Sequence, residues 1–450
     1  MISIKKLVLC IGISCLANVG SALADTYDLV ELYQSALTYD ADIAAAESAY
    51  VAEQEQENIA LANLLPQIDA DASIGHTNDE IKKGPNVSDS YKSTTYGVSL
   101  TQPLFNMPRW YDLSASEYGS SRAEAEFLTA QQNLILKVSE AYFNVLRAEE
   151  DLIASQALET AVKRQYEQAK EQFEVGLIAI TDVHEAKASY DSSQTTRIRA
   201  EGALTIARET LSRITGQYAI DLKTLSDTYE TTIDPTDSIE SWVNSAIENN
   251  PSVIAAHFNA KALEMGYKSK RAVHYPTLTL TAGFDNTNLD EVKSGIFNNN
   301  VETEAERGTV FINLNLPIYA GGGTSAASKR ARLLSEQAMH QLTAAQRSAE
   351  IETRSEFINL RTNSQTVDSL KQNIISRESA LEATREGYNV GTRNIVEVLD
   401  AERNYFTALR DYASARFDFI ISSLKLKQAA GTLHEEDLAA INESLILQAN

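Results

Sequence analysis

Few residues of this chain have the types and spacings that make or break covalent bonds. Its six histidines, His76, His184, His257, His274, His340 and His434, are scattered. No His-Glu-x-x-His pair supplies the two imidazoles and the general base of a zinc hydrolase. Gly321-Gly322-Gly323 lacks the following Lys-Ser/Thr of a phosphate loop and reads instead as a sharp turn. There is no Gly-x-Ser-x-Gly elbow to present an acyl-transfer nucleophile. An enzyme is not expected, and neither is a metal or a cofactor. Two carboxylates do stand out. Glu397 and Asp400, three residues apart, share a helix face. Read alone, Glu397 is a helix cap and Asp400 part of a solvated surface.

The chain begins with Lys5 and Lys6, an apolar run from Leu7 to Val19, and Ala22-Leu23-Ala24 before Asp25, the pattern of a secretory leader over residues 1–24. Both cysteines, Cys10 and Cys15, lie inside it, so the mature chain is expected to have no disulfide and no thiolate chemistry. Asp and Glu total 62 against 39 Lys and Arg, a formal net charge of −23, and loss of Lys5 and Lys6 makes the balance more acidic still. Nucleic acid is thereby disfavoured as a partner, because phosphate backbones are held by clustered cations. After the leader no apolar run approaches the roughly 18 residues of a membrane helix. If the mature chain crosses a membrane, it must do so in a closed β-barrel, the other way to pair every backbone group in hydrocarbon.

The elements repeat. The segment from Gln102 to Phe105 and the one from Leu316 to Tyr319 each precede a long polar helical pattern, one ending at Phe173-Glu174-Val175-Gly176 and the other at Tyr388-Asn389-Val390-Gly391. Pro103 and Pro317 are 214 residues apart and Gly176 and Gly391 are 215 apart, so one unit has been duplicated. All eight prolines lie outside 109–234 and 318–450, which are rich in good helix formers. Leu134, Val138, Ala141, Val145 and Ala148 keep the spacing of a single buried stripe. A helix over about 109–175 would be on the order of 100 Å long and must pack as a coiled coil, with its counterpart over about 323–389. Gly176 and Gly391 close these helices, and new ones are expected over about 181–215 and 394–430. Asp182-Val183-His184-Glu185 and Asn394-Ile395-Val396-Glu397 read as capping boxes.

Short strands are expected over about 67–77, 94–102, 277–286 and 308–317. Ile68, Ala70, Ala72 and Ile74 alternate with polar residues, as do Tyr96, Val98 and Leu100, Leu278, Leu280, Ala282 and Phe284, and Val310, Ile312, Leu314 and Leu316; Phe311 is a misfit on the polar side. Each strand has one oily and one wet face and about the nine to eleven residues of a tilted membrane strand. Polar loops are expected from His76 to Ser93 and from Asn286 to Arg307, with Phe105, Trp110, Tyr111, Tyr275 and Tyr319 at the opposite ends as an interfacial girdle. Four strands cannot close a barrel, since the smallest use eight, so several copies must pool theirs. The competing reading is a soluble, exported coiled-coil scaffold or adhesin.

At these residues the chain resembles the TolC-like outer membrane factor family of efflux and secretion channels. Phe173 to Val183 and Gly387 to Ala401 are similar to its two helical-turn motifs, Leu316 to Gly322 to its strand-to-helix junction, and Ala141 to Leu146 to its first long helix. The resemblance covers essentially the whole mature chain. It implies mixed α and transmembrane β architecture: a homotrimer with one 12-stranded outer-membrane β-barrel, four strands per chain, continuing into a 12-helix periplasmic α-barrel. On that plan residues 25–217 are the first repeat, 218–250 an equatorial segment, 251–431 the second repeat and 432–450 a C-terminal equatorial segment.

The implied function is a passive exit duct through the Gram-negative outer membrane for tripartite efflux, including multidrug efflux, and/or type I protein secretion. The implied partners are outer-membrane lipid, a periplasmic adaptor and an inner-membrane transporter of ABC, RND or MFS type. Adaptor tips would meet Val175, Gly176 and Leu177 together with Val390, Gly391 and Thr392. The gate would be Thr181 and Asp182 bonding Tyr388 and Arg393, and Glu397 and Asp400 would line the constriction, where the family usually has two Asp. Six carboxylates around a trimer's pore would favour cations.

Overall fold

The computed structural model describes residues 26–80, 88–218, 221–226, 228–232, 238–294 and 297–447. The leader expected over 1–24 lies outside the described residues. In chain order the elements are β1 (Thr26–Tyr27), α1 (Leu29–Tyr39), α2 (Ala41–Ala62), β2 (Gln67–Glu80), β3 (Ser88–Phe105), α3 (Met107–Glu174), α4 (Ile180–Thr215), β4 (Asp221–Leu222), β5 (Thr224–Leu225), α5 (Ile239–Asn249), α6 (Pro251–Ala272), β6 (Thr277–Ser294), β7 (Phe297–Asn315), α7 (Gly323–Asn389), α8 (Ile395–Ala429), α9 (Glu435–Asn442) and β8 (Leu445–Ile446).

Four strands form one antiparallel sheet in the order β2-β3-β6-β7. Its register puts the oily residues on a common face: Ile68 lies opposite Leu100, Ala70 opposite Val98, Val98 opposite Phe284, and Leu280 opposite Ile312. The chain does not cover that face. Ile68, Ile74, Val98, Val310, Ile312 and Leu314 are each half exposed or more. The other face carries Asp69, Ser99, Gly283 and Thr309 in register. Phe311, opposite Thr281, stays an exposed misfit there. Among the described residues the outer edges of β2 and β7 have no partner strand.

The polar stretches expected as loops, 76–93 and 286–307, are strand wherever they are described, and the four strands reach 14, 18, 18 and 19 residues. The alternation of oily residues marks only the part that would meet hydrocarbon. Antiparallel pairing goes on satisfying backbone groups after the oil ends. Cross-strand polar bonds assist, such as the Asn286 side-chain amide donating to Glu304 at 2.9 Å.

Helices α3 and α7 run unbroken for 68 and 67 residues. On one side α3 packs against α2 and α4, on the other against α6 and α8, and α7 lies beyond α6 and α8. The layer therefore has α2 and α4 along one edge and α7 along the other. Its largest core sits midway, where Tyr142, Phe143, Leu146, Leu211, Ile420 and Leu424 are essentially inaccessible and α1, α9 and the short strands wrap the helices. β4 pairs with β1, and β5 with β8, which draws the first described residues into this belt. Nothing in the pattern of the first repeat announced that involvement.

The start of α2 shows how the belt is pinned. Asp40 caps the helix, accepting the amides of Asp42 and Ile43 at 2.9 and 3.3 Å, and its other oxygen lies 2.6 Å from Lys137 Nζ on α3. Burial works against its charge, but the Lys137 hydrogen bond and the two amides prevail and hold the carboxyl below its ordinary value. A depressed carboxylate stabilises fully above its unfolded value of 3.8 and loses that contribution as pH falls through the folded value. Asp40→Asn keeps the cap but loses the charge-assisted bond to Lys137, and is expected to lower stability by about 1 kcal/mol at pH 7. In chemical unfolding the gap from the parent should narrow steadily as pH falls below 3.8; a gap that does not change with pH there would assign the effect to packing instead.

Candidate functional site

Both long helices end in the same device. Val175 closes α3 and Gly176 follows at φ +77°; the Gly176 amide donates to the Phe173 carbonyl at 2.9 Å and the Leu177 amide to that of Gln172 at 2.8 Å. At the end of α7, Gly391 also has φ +77°, with its amide on Tyr388 at 3.0 Å and the Thr392 amide on Gly387 at 2.8 Å. This paired bond pattern requires a left-handed residue, which glycine supplies without strain. It uses up the last helical carbonyls and leaves the tips uncovered. Val175, Leu177 and Val390 are 71, 74 and 73% exposed, an apolar surface with no partner among the described residues.

Behind the turns, Val162, Ala169, Ala186, Ile395 and Leu399 form a small core joining α3, α4 and α8, with Tyr166, Tyr190 and Tyr388 at its rim. The two second helices begin differently. Asn394 caps α8 in a true capping box with Glu397. The capping box expected at Asp182 does not form: α4 already starts at Ile180 behind Ala179, which makes no side-chain cap. Thr181 and Asp182 are thus inside the first turn, where a carboxylate meets the positive end of the helix.

The six charged and polar residues singled out in the sequence flank these turns, at the start of α4, the end of α7 and the start of α8. Within the chain, Tyr388 donates to Gln172 Oε1 at 2.9 Å, and Arg393 donates to Glu397 Oε2 at 2.5 Å. Asp182 stands near Tyr388: burial, then the Asp182 charge, raises the phenol above its ordinary value. The Arg393 bond pulls the Glu397 carboxyl down, and Asp400 is bonded to Arg403 at 3.0 Å. Arg393, Glu397, Asp400 and Arg403 therefore form a stripe in which each acid faces a guanidinium. Thr181 makes no side-chain bond among the described residues.

Sequence reasoning missed Gln172, Arg385, Gln165 and above all Glu402. Glu402 is fully buried, accepting Arg385 at 2.8 Å from α7 and Gln165 at 3.4 Å from α3. Its position was legible, because Glu402 continues the apolar stripe of Ile395, Val398 and Leu399 at helical spacing, and a charge on such a stripe must be buried. None of these arrangements is catalytic. Among the described residues no three His, Cys, Asp or Glu gather closely enough to hold a metal.

The family model described as outer membrane efflux protein matches residues 32–217 and 242–432. Outer membrane protein TolC of Vibrio cholerae serotype O1 is 34% identical over 443 residues, covering 98% of this chain and 99% of that protein. Proteases secretion protein PrtF of Dickeya chrysanthemi is 25% identical over 432 residues, covering 94% of this chain and 92% of that protein. Among solved structures, the Campylobacter jejuni CmeC outer membrane channel superposes with a TM-score of 0.77 at 18% identity, over 99% of this chain and 98% of that one.

Proposed function

We infer from the outer membrane efflux protein family, to which this chain belongs, that it works as a passive exit duct through the outer membrane into which the periplasm empties. The observation that carries this reading is a sheet with an uncovered oily face and two open edges, continuous with helices of 68 and 67 residues. An oily face belongs in lipid, and open edges are not tolerated there, so copies must close the barrel together. Three copies supply twelve strands and a twelve-helix wall. Helices of that length reach on the order of 100 Å into the periplasm. The duct serves tripartite efflux and/or type I secretion, in keeping with the names of the TolC and PrtF relatives.

The exposed tips Val175-Gly176-Leu177 and Val390-Gly391-Thr392 are the surface for a periplasmic adaptor, which links the duct to an energised inner-membrane transporter. Thr181, Asp182, Tyr388 and Arg393 hold the mouth shut between neighbouring helices. The gating bonds are solvent-reached and individually weak, suited to release by a partner that favours the open state. Glu397 and Asp400 line the constriction. Because Arg393 and Arg403 sit beside them, cation preference should be milder than for six bare carboxylates.

Fractionation tests the duct. A detergent-requiring trimer from the outer membrane supports it; a monomer released by osmotic shock would refute it. In planar bilayers the parent should show small conductance, and Asp182→Ala or Arg393→Ala should raise it severalfold. Unchanged conductance in both would remove the gate roles while leaving the duct.

A further inference from the structure

Closing the sheet decides which helices of two copies meet. α2 runs into the edge strand β2, and α7 leaves the edge strand β7. These helices are also at the two edges of the helix layer, α2 against α3 and α7 against α6 and α8. Joining β7 of one copy to β2 of the next therefore lays α7 against the next copy's α2.

The charges on those two helices are one-sided. α2 holds Asp42, Glu47, Glu53, Glu55 and Glu57 and no Lys, Arg or His. The first turns of α7, from Gly323 to Leu334, hold Lys329, Arg330 and Arg332 and no acid. Some are used within the chain: Asp42 with Lys137, Glu53 with Arg122, Arg332 with Glu336. Among the described residues Glu47, Glu55, Glu57, Lys329 and Arg330 have no ion pair.

Level and facing also agree. Glu55 precedes the end of α2 by the same seven residues by which Arg330 follows the start of α7, so both stand about 10 Å from the barrel-side ends at roughly 1.5 Å per residue. Lys329 is one residue nearer the barrel. Ile43 and Ala60 turn inward on α2, leaving Glu55 and Ile59 outward; Ala338 and Leu342 turn inward on α7, leaving Lys329 and Leu333 outward. Ile59 and Leu333 are about half exposed, and Ala52 on α2 is small enough to admit Leu333.

We propose that a second copy of this chain docks along this face, with Glu55 of one copy bonded to Lys329 of the next, flanked by Ile59 and Leu333. The seam rests on the closed-barrel reading above and adds the residues by which copies recognise each other. α6, the duplicate of α2, instead carries Lys261, Lys268, Lys270 and Arg271 against the single acid Glu264 and packs against the α7 of its own chain. The acids of α2 attract the cations of an incoming α7.

The test uses the full chain with Glu55→Cys and Lys329→Cys together, extracted in mild detergent and oxidised. Both native cysteines lie in the expected leader, so the engineered pair stands alone. Covalent dimers and trimers are expected on a non-reducing gel, and none from either single variant or from Glu55→Cys with Lys268→Cys. An intact trimer without this ladder would overturn the seam and spare the duct; a parent chain that forms no trimer would overturn both. As a second measure, Lys329→Glu and Glu55→Lys should each speed trimer dissociation about tenfold, the effect of about 1.4 kcal/mol, and the double exchange should restore it. Failure of that restoration also counts against the pairing.

Discussion

Gly431→Ala is expected to abolish assembly of the folded chain, whereas Gly216→Ala, the same change at the matching place in the first repeat, should leave a folded and only weakened protein. Both glycines follow a helix in the left-handed region, Gly216 at φ +71° and Gly431 at φ +74°. Alanine pays the same backbone strain at either, about 1–2 kcal/mol. What the new methyl meets is different. At Gly431 it would lie 2.3 Å from the Asn249 carbonyl oxygen and 2.5 Å from the Asn250 nitrogen, both backbone. That backbone cannot step aside, because Asn250 caps α6 and its side-chain amide donates to the Ala429 carbonyl at 2.9 Å. At Gly216 the methyl meets the Tyr39 ring at 2.7 Å, and Tyr39 is 61% exposed and free to rotate outward. Overpacking against fixed backbone adds about 1–3 kcal/mol or more, which in total is a large part of a marginal stability. Outer-membrane yield and trimer recovery measure the contrast. Equal losses from both substitutions would mean that backbone strain alone decides.

Glu402→Ala is expected to loosen the lower hairpin without unfolding the belt. The Glu402 carboxylate joins α8 to Arg385 of α7 and Gln165 of α3, and its Oε2 has no partner. Removing it costs both hydrogen bonds and leaves a small void. Arg385 is 45% exposed and can turn to water, which limits the loss. A loss of about 1–2 kcal/mol is expected from bonds to a charged group. Amide exchange across 381–402 should quicken about tenfold for each 1.4 kcal/mol. Glu402→Gln keeps an acceptor for Arg385 and should sit between the two. Exchange unchanged in Glu402→Ala would show that the small core of Val162, Ala186 and Ile395 holds the hairpin by itself.

The parts legible in the sequence were those with a period or a breaker. Pro108, Gly176, Gly323 and Gly391 punctuate the long helices, and the alternation of Ile68 to Ile74 or Leu278 to Phe284 marks strands. Strand ends were not legible, because beyond the oily part only backbone pairing holds the ladder, and pairing leaves no side-chain pattern. The belt was obscure for a related reason: Thr26–Tyr27 and Asp221–Leu222 are two-residue strands joined over nearly two hundred residues of chain. At the helix turns, the resemblance singled out the acids but not their partners. Arg393, in the turn just before α8, reaches Glu397 in the first turn of that helix; whether a guanidinium bonds near or far depends on rotamers and neighbours that a linear pattern does not encode.

The two unbroken rods α3 and α7 make the molecule a ruler. Their ends are fixed by a lipid-soaked collar above and by bare glycine turns below, and a continuous α-helix cannot stretch to suit its surroundings. The depth at which those turns hang is therefore written into the gene as a residue count. Any cell that keeps this chain must hold its two envelopes at a spacing that the count, together with whatever rises from the inner side, can bridge.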